Sequence, residues 1–346
     1  MSNIDTKTEK SEKENRAFAK YKPFIKNNVI NFNFGENFNN WFSDRFYLRN
    51  HTIDFNTQLK TLLNTNYKDN TFLLGQENWL FLTSNKSEKN YLNLEKFSEE
   101  ELQKAVDYIA SIDRYCKKHN KKFVFVICPD KNKIYGEYYP NYYIKHIPDS
   151  KSRANQLIEA LKKNNIDVVY FYDVLVKNKS TDTTKLLYWK DDTHWSKYGA
   201  YIAYIELAKH LEIKPVTVVL KDKEKHIGDL SSKSYFKYND SQEYINPEVR
   251  NKNAQCTQIL NKKHNTLKQR GDINCNNKNK INRKILFYRD SFSINLIPFI
   301  SENYNNSQFY WTTKVDADEI NKADIIIFER VERFLYDLPN ETPIKE

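Results

Sequence analysis

Glycine is scarce in this chain, with only 6 among 346 residues. Loops that cradle nucleotide phosphates depend on glycine, because only glycine lets the backbone approach the phosphate oxygens closely. The chain has no glycine-rich loop of this kind. We therefore expect no nucleotide site and no other cofactor.

Long apolar runs are also absent. No window of about 18 residues is apolar enough to cross a bilayer, so we expect no membrane span. The first 16 residues are charged and lack the apolar core of a signal peptide, and we expect them to be disordered. The sequence thus predicts a cytoplasmic protein, or one from which a leader or anchor has been removed.

Cysteine is used sparingly, and the four positions do not have zinc-ligand spacing. Cys116 and Cys128 fall in a predicted helix and strand, which favours buried free thiols. Cys256 and Cys275 bracket a polar stretch and would close it as a disulfide if the protein is exported.

Basic residues outnumber acidic ones, 55 to 45, which gives a formal net charge of +10. This charge favours an acidic partner but does not choose between an anionic polysaccharide, a nucleic acid and a lipid surface. The basic residues do not cluster into a stripe, and no nucleic-acid-binding motif is present. We therefore expect no nucleic acid partner.

Hydrophobic periodicity predicts a helical amino-terminal extension over 17–69 and a single larger domain over 70–346. The extension reads as two helices broken near 47–50. Two apolar runs within 71–82 flank a polar tetrad and predict a hairpin. Ser98 and Glu101 form a capping box that begins a long amphipathic helix.

Apolar runs alternate with helical patterns through the rest of the chain, which predicts an α/β fold with a mostly parallel sheet of about five strands flanked by helices. We expect a mobile polar insertion at about 240–283, because that region is rich in Asn, Lys and Gln. The five predicted strands cover 122–128, 167–172, 284–289, 307–312 and 324–329.

An acid and a histidine stand together just before a predicted helix, at Asp192 and His194. A carboxylate near an imidazole suits general-base catalysis, because it can fix the tautomer and stabilise the imidazolium. Ser291 follows an apolar strand, and α/β sheets carry their sites at the carboxyl ends of strands. We predict a Ser291, His194, Asp192 triad assembled from distant parts of the chain.

Six short motifs follow one another along the chain: Gly75-x-x-x-Trp79, Pro129-x-Lys131 with Ile134-Tyr135, Asp192-x-His194-Trp195 with Gly199-Ala200, Gly228-Asp229-Leu230, Asp290-Ser291-Phe292 and Glu332-Arg333. In this order they resemble the alginate O-acetyltransferase and SGNH-hydrolase-like acetyltransferase family. The similarity covers nearly the full chain, including a lead-in at 14–16 and 44–49.

The resemblance implies an SGNH-like fold in which Asp-x-His precedes the serine along the chain. It implies that Ser291 forms an acyl-enzyme, that His194 takes its proton and that a polysaccharide hydroxyl accepts the acetyl group. It also implies a periplasmic or cell-envelope location and an acetyl donor supplied by a membrane-bound acyltransferase.

The residues that bind substrate or complete the oxyanion hole are less clear from sequence. The Ser291 backbone N–H is the first oxyanion donor, and a second donor is required. Lys131, Arg289 and Asn295 are candidates for it, and Trp195 is a candidate sugar platform or a core residue. Arg289 stands where the family often has glycine, so it demands a relaxed turn or contacts an anionic group.

Other functions stay open at this stage. An acetyl esterase of the same fold would use water in place of the sugar hydroxyl, and a non-catalytic glycan-binding subunit would keep the fold alone. In that last case His194 and Ser291 would be structural residues at helix starts. A metal site at Asp191, Asp192 and His194 is disfavoured, because no further ligand has suitable spacing.

Overall fold

The computed structural model describes residues 10–11, 16–26, 29–31, 33–46, 68, 70–233, 242–259, 271–278 and 280–345. The chain forms two compact units. The first comprises Met1–Thr83, Lys190–Asp192 and Ile227–Asp240, and the second comprises Ser84–Trp189, Thr193–His226 and Ser241–Glu346.

Strands form the centre of the second unit, and the first unit contains short pairs of strands. The strands are β1 (Lys10–Ser11), β2 (Arg16–Ala17), β3 (Ile25–Lys26), β4 (Val29–Ile30), β5 (Phe72–Leu74), β6 (Leu80–Leu82), β7 (Lys122–Cys128), β8 (Val168–Tyr170), β9 (Val218–Lys225), β10 (Glu243–Val249), β11 (Gln255–Ile259), β12 (Asp272–Asn276), β13 (Ile281–Tyr288), β14 (Tyr304–Tyr310) and β15 (Ile325–Val331).

Helices alternate with the strands of the second unit. No helix among the described ranges is both long enough and apolar enough to cross a membrane. The helices are α1 (Phe34–Arg45), α2 (Ser87–Tyr91), α3 (Glu99–Lys118), α4 (Lys131–Ile134), α5 (Asn141–Ile144), α6 (Arg153–Lys163), α7 (Tyr172–Lys177), α8 (Lys197–His210), α9 (Asp229–Lys233), α10 (Ile297–Ile300) and α11 (Ala317–Asn321).

The second unit is built on one mixed sheet with the strand order β11, β12, β14, β13, β15, β7, β8. The five strands from β14 to β8 are parallel, as the apolar runs predicted. Burial on both faces explains those runs: five consecutive residues of β7, Val124 to Cys128, are fully buried. The α/β architecture expected from the sequence is confirmed.

One face of the sheet packs against α3, whose start was also predicted from the sequence. Ser98 accepts a hydrogen bond from Glu101 N at 3.2 Å, and the Glu101 carboxylate accepts one from Ser98 N at 2.8 Å. This capping box satisfies two of the donors that a helix start leaves unpaired. The apolar face of α3 then lies in the same core as Phe125 of β7 and Phe328 of β15.

From its composition, the region 240–283 is expected to be a mobile polar insertion, and the structure describes part of it as strands. Its described residues form β10, β11 and β12, and the last two extend the sheet as antiparallel strands beside β14. Cys256 and Cys275 face each other across β11 and β12 and form a disulfide. Cys116 and Cys128 are buried free thiols, as predicted.

The first unit contains the hairpin predicted at 71–82, formed by β5 and β6. Phe72 and Leu80 from the hairpin pack with Leu230 of α9. The helix expected in the first half of 31–63 is α1, and the second expected helix lies outside the described residues. Most of the stretch expected to be disordered, 1–16, also lies outside them, although β1 within it pairs with β2.

Candidate active site

The turn that carries Ser291 follows directly from the end of β13. The strand ends at Tyr288, and after two further residues the backbone of Ser291 turns into a 3-10 helix over Phe292–Asn295. Asp290 shapes this turn: its Oδ1 accepts a hydrogen bond from Phe292 N at 2.9 Å, and its Oδ2 accepts one from Val331 N at 2.7 Å. The sheet thus delivers the serine at the carboxyl end of a strand, where α/β folds place their sites.

His194 lies directly beside this serine. Its Nε2 is 2.8 Å from Ser291 Oγ, although 97 residues separate the two along the chain. Both side chains are half-buried, so the pair is reachable from solvent. The Thr193 hydroxyl lies 3.2 Å from the other ring nitrogen, Nδ1. A serine hydroxyl at this distance from an imidazole can give up its proton to Nε2.

The segment around His194 is fixed on both sides. Tyr188 and Trp195 form an isolated antiparallel bridge, and Ser196 then caps α8 by accepting a hydrogen bond from Gly199 N at 3.0 Å. The Ser196 hydroxyl also donates to Leu186 O at 2.6 Å. A Cβ atom at Gly199 would lie 2.0 Å from Leu187 O, so only glycine allows this close approach.

Asp192 belongs to the first unit, where its environment is built by the Gly228-Asp229-Leu230 motif. Its carboxylate accepts a hydrogen bond from Asp229 N at 3.1 Å and is almost fully buried. The neighbouring Asp191 accepts from Gly228 N at 2.7 Å and from the Ser231 hydroxyl at 2.6 Å. A Cβ atom at Gly228 would lie 2.0 Å from Asp191 O. The glycine motif therefore fixes the acidic pair.

Trp195 is a core residue and not a sugar platform. Its side chain is fully buried, and its indole N–H donates to Phe292 O at 3.0 Å. The centres of the Trp195 and Phe292 rings lie 5.1 Å apart, and the centre of the Phe292 ring is 5.4 Å from that of the His194 ring. Trp195 thus supports the turn through Phe292, the residue that follows Ser291, and its buried ring presents no face to solvent.

Arg289 does not reach towards a ligand either. It is almost fully buried, and its guanidinium donates to Asp290 O and Gly271 O, both at 3.1 Å. Its charge also lies 4.7 Å from the centre of the Trp311 ring. Arg289 therefore links the turn that carries Ser291 to the start of β12.

The other two candidate oxyanion donors are both engaged with backbone carbonyls. Lys131 is buried, and its ammonium donates to Trp189 O at 3.2 Å. Asn295 is half-buried, and its amide donates to Trp195 O at 3.4 Å.

A second polar network follows the carboxyl ends of β7 and β15. Asp130 and Arg333 form a buried ion pair, and the Arg333 guanidinium lies 5.3 Å from the centre of the Phe292 ring. Burial raises the pKa of Asp130 to about 6, and the charge of Arg333 opposes part of that rise. Tyr170 donates to the buried Glu332 carboxylate at 3.1 Å. The Glu332-Arg333 motif therefore supports Phe292, the residue next to Ser291.

Sequence reasoning missed Glu329 altogether. It is fully buried in β15 and accepts hydrogen bonds from Asp290 N at 3.1 Å and from the Ser293 hydroxyl at 2.7 Å. The available signal was a carboxyl group within the run Ile325-Ile-Ile-Phe-Glu-Arg-Val331, where every residue is buried. Acidic residues are rarely buried unless they are hydrogen-bonded. An acid within a fully buried strand therefore indicates a buried hydrogen-bonding network.

Comparison with known proteins gives one family and a set of similar folds. Residues 72–271, more than half of the chain, match the model of the SGNH hydrolase-like domain of the acetyltransferase AlgX. The fold resembles a DHHW family protein from Eubacterium siraeum with a TM-score of 0.58 and 14% identity, over 81% of this chain and 98% of that chain. It also resembles Bacillus cereus PatB1 with a sulfonyl adduct, with a TM-score of 0.52 and 14% identity, over 76% of this chain and 94% of that chain.

These comparisons confirm the SGNH-hydrolase-like α/β fold. At 14% identity the two similar structures show the fold alone. Among curated proteins, no sequence matches the chain.

Proposed function

Because the chain belongs to the family of SGNH hydrolase-like acetyltransferase domains represented by AlgX, we propose that it transfers acetyl groups to polysaccharide hydroxyls through a serine acyl-enzyme. Members of this family are, in general terms, O-acetyltransferases. The observation that carries the finer proposal is the 2.8 Å distance between His194 Nε2 and Ser291 Oγ.

In the first half-reaction Ser291 Oγ attacks the carbonyl carbon of the acetyl donor while His194 Nε2 takes the hydroxyl proton. A tetrahedral oxyanion forms, and its collapse breaks the bond to the donor's oxygen. His194 returns the proton to that leaving oxygen, so the donor departs as an alcohol and Ser291 carries an acetyl ester.

In the second half-reaction a sugar hydroxyl attacks the acetyl ester and gives its proton to His194. Collapse of the second tetrahedral oxyanion transfers the acetyl group to the sugar and returns the proton to Ser291. The Ser291 N–H is the first oxyanion donor in both steps. For Nε2 to accept a proton, the other ring proton must stay on Nδ1, and we assign that orienting role to Asp192.

The acceptor, donor and location follow from the family and are part of the same proposal. The acceptor is a polysaccharide in the periplasm or cell envelope, and a membrane-bound acyltransferase supplies the acetyl group. The disulfide between Cys256 and Cys275 supports such a location, because disulfides persist in oxidising compartments.

The test is transfer from an activated acetyl ester to oligosaccharides, with acetate and acetylated sugar measured in the same sample by mass spectrometry. Our proposal predicts an acetylated sugar whose yield rises with acceptor concentration. Free acetate without acetylated sugar would make the protein an esterase, and an inert protein that binds oligosaccharide would make it a glycan-binding subunit.

Ser291→Ala supplies the control for that experiment. It removes the nucleophile and leaves the fold and any glycan-binding surface in place. The proposal predicts that this variant neither releases acetate nor acetylates sugar above the uncatalysed rate.

A further inference from the structure

Glu329 contacts the nucleophile turn but takes no part in the reaction steps above. It lies on β15, the strand beside β13, and its side chain is 0% exposed. Its Oε2 atom accepts hydrogen bonds from Asp290 N at 3.1 Å and from the Ser293 hydroxyl at 2.7 Å. These two donors lie immediately before Ser291 and two residues after it, so one oxygen holds both sides of the turn.

Asp290 adds two more bonds to the same structure. Its carboxylate accepts from Phe292 N at 2.9 Å and from Val331 N at 2.7 Å. The Val331 bond ties the turn to β15, two residues beyond Glu329. The two acidic side chains therefore hold residues 290–293 against a strand that is buried along its whole length.

The charge state of this pair matters because both acids are almost fully buried. Burial raises the pKa of Glu329 to about 8, and the neighbouring charge of Asp290 adds to the rise. Among the described residues, Arg289 and Cys128 also interact with Glu329: the Arg289 guanidinium donates to two carbonyls, and burial raises the pKa of the Cys128 thiol. Burial and the charge of Asp290 therefore both favour the neutral form of the Glu329 carboxyl group.

A neutral Glu329 also fits its hydrogen bonding. Its Oε1 atom has no hydrogen-bond partner within the described part of the chain. An unpartnered carboxylate oxygen in a dry interior is costly, and an uncharged carboxyl group reduces that cost.

From this geometry we propose that Glu329 is a positioning residue: its carboxyl group accepts hydrogen bonds from Asp290 and Ser293 and so fixes the Asp290–Ser293 turn with Ser291 Oγ directed at His194 Nε2. The inference rests on the proposed function, in which Ser291 is the nucleophile. Glu329 does not touch the reacting atoms and acts through Asp290 and Ser293.

The test compares Glu329→Gln, which keeps a neutral acceptor, with Glu329→Leu, which removes it. Ser293→Ala deletes only the hydrogen bond from the Ser293 hydroxyl to Glu329, and it alters the core less than Glu329→Leu does. Ser307→Ala is its matched control, because Ser307 is also fully buried but its hydroxyl has no partner in the described structure. The probe is an arylsulfonyl fluoride, whose rate of attachment to Ser291 reports nucleophile alignment without a donor or acceptor.

We expect Glu329→Leu to slow sulfonylation about 100-fold, because small misplacements of a reacting group cost this much. Ser293→Ala should slow it about tenfold, while Glu329→Gln and Ser307→Ala stay within about threefold of the unsubstituted protein. The KM for a chromogenic acetyl ester should stay unchanged as kcat falls. A Glu329→Leu protein that reacts at the unsubstituted rate would overturn the inference, and so would equal losses in Ser293→Ala and Ser307→Ala.

The pH profile tests the neutral state separately. Ionisation of Glu329 beside Asp290 places two negative charges together, so sulfonylation by the unsubstituted protein should fall as pH rises through about 8 relative to Glu329→Gln. Identical alkaline limbs in the two proteins would contradict a neutral Glu329.

Amide hydrogen exchange at 290–293 separates this inference from the proposed function. Glu329→Leu should exchange these amides at least tenfold faster than Glu329→Gln, whether or not the serine reacts. If the unsubstituted protein is never sulfonylated at Ser291 the proposed function fails, while exchange still decides whether Glu329 holds the turn. Equal exchange in the two variants would refute the positioning role.

Discussion

His194 can act as a base only if its remaining proton stays on Nδ1, because Nε2 must be free to accept from Ser291. Two residues that precede His194 in the sequence, Asp192 and Thr193, are candidates for holding that proton on Nδ1. The Thr193 hydroxyl lies 3.2 Å from Nδ1, and our proposal gives the role to the Asp192 carboxylate. A carboxylate stabilises the imidazolium that forms during the reaction, whereas a hydroxyl only accepts a neutral hydrogen bond.

Asp192→Asn and Thr193→Val distinguish these two residues. Asp192→Asn should lower kcat for a chromogenic acetyl ester by roughly 1,000-fold or more, because the amide favours the wrong tautomer. Thr193→Val should lower it by less than about tenfold, the worth of one neutral hydrogen bond. A larger loss in Thr193→Val would assign the orienting role to the hydroxyl.

The sequence predicted that Ser291 and His194 lie together, but it did not predict the residues that support them. Asp-x-His before a helix and a serine after an apolar strand are local patterns, and the structure brings Ser291 and His194 together as predicted. The directions taken by Arg289 and Lys131 depend on carbonyls distant in the chain, which no local pattern reveals. Glu329 was missed because an acid beside apolar residues resembles the exposed end of a strand.

Among the single elements, α8 begins three residues after His194, and its Gly199 packs closely against the backbone of Leu187. Gly199→Ala should destabilise the protein by about 2–3 kcal/mol, because the added Cβ would lie 2.0 Å from Leu187 O. Gly35→Ala is the matched control: it is also a helical glycine, with nothing within 4 Å of the added atom. It should stabilise the protein by up to about 1 kcal/mol in the same urea titration.

Equal effects of the two glycine substitutions would contradict the close contact between α8 and Leu187. The ester kcat of Gly199→Ala should fall as well, since α8 is capped by Ser196, two residues after His194. Gly35→Ala should leave that kcat unchanged.

The hairpin of β11 and β12 depends on its disulfide. Cys256 and Cys275 are 19 residues apart, and closing a loop of this size stabilises a protein by roughly 3 kcal/mol. A thiol reductant should therefore lower the melting temperature of the unsubstituted protein. The double variant Cys256→Ser, Cys275→Ser should melt at the lowered temperature and should not respond to reductant. A response in the double variant would place the sensitivity elsewhere.

Strand prediction succeeded where burial shaped the sequence and failed at the edge of the sheet. β7 is a near-continuous apolar run because both of its faces are covered. β11 is exposed at every residue, so nothing in its composition marks it as a strand. The residues after Ser291 form a 3-10 turn and then α10 as two separate short helices, because Pro298 has no N–H with which to continue the first.

At the scale of the whole molecule, two buried acids make stability depend on pH in an unusual direction. Burial raises the pKa of Glu329 to about 8 and that of Asp130 to about 6. The folded state therefore holds protons that the unfolded chain has already released. Stability from these groups is complete below about pH 4 and is lost as pH rises through the folded values.

Glu329→Gln should remove one part of this dependence. The free energy of unfolding from urea titrations should fall less steeply between about pH 5 and 8 in the variant than in the unsubstituted protein. Parallel curves for the two proteins would mean that Glu329 does not retain its proton in the folded state.

The central claim is that Ser291, activated by His194, carries the acetyl group during the reaction. Rapid quenching of the protein with an activated acetyl ester, followed by peptide mass mapping, tests it most directly. We predict one acetyl group on Ser291 in the unsubstituted protein, and none on that peptide in Ser291→Ala or, at the same quench time, in His194→Ala. Acetyl transfer by the Ser291→Ala protein at the unsubstituted rate would contradict the account.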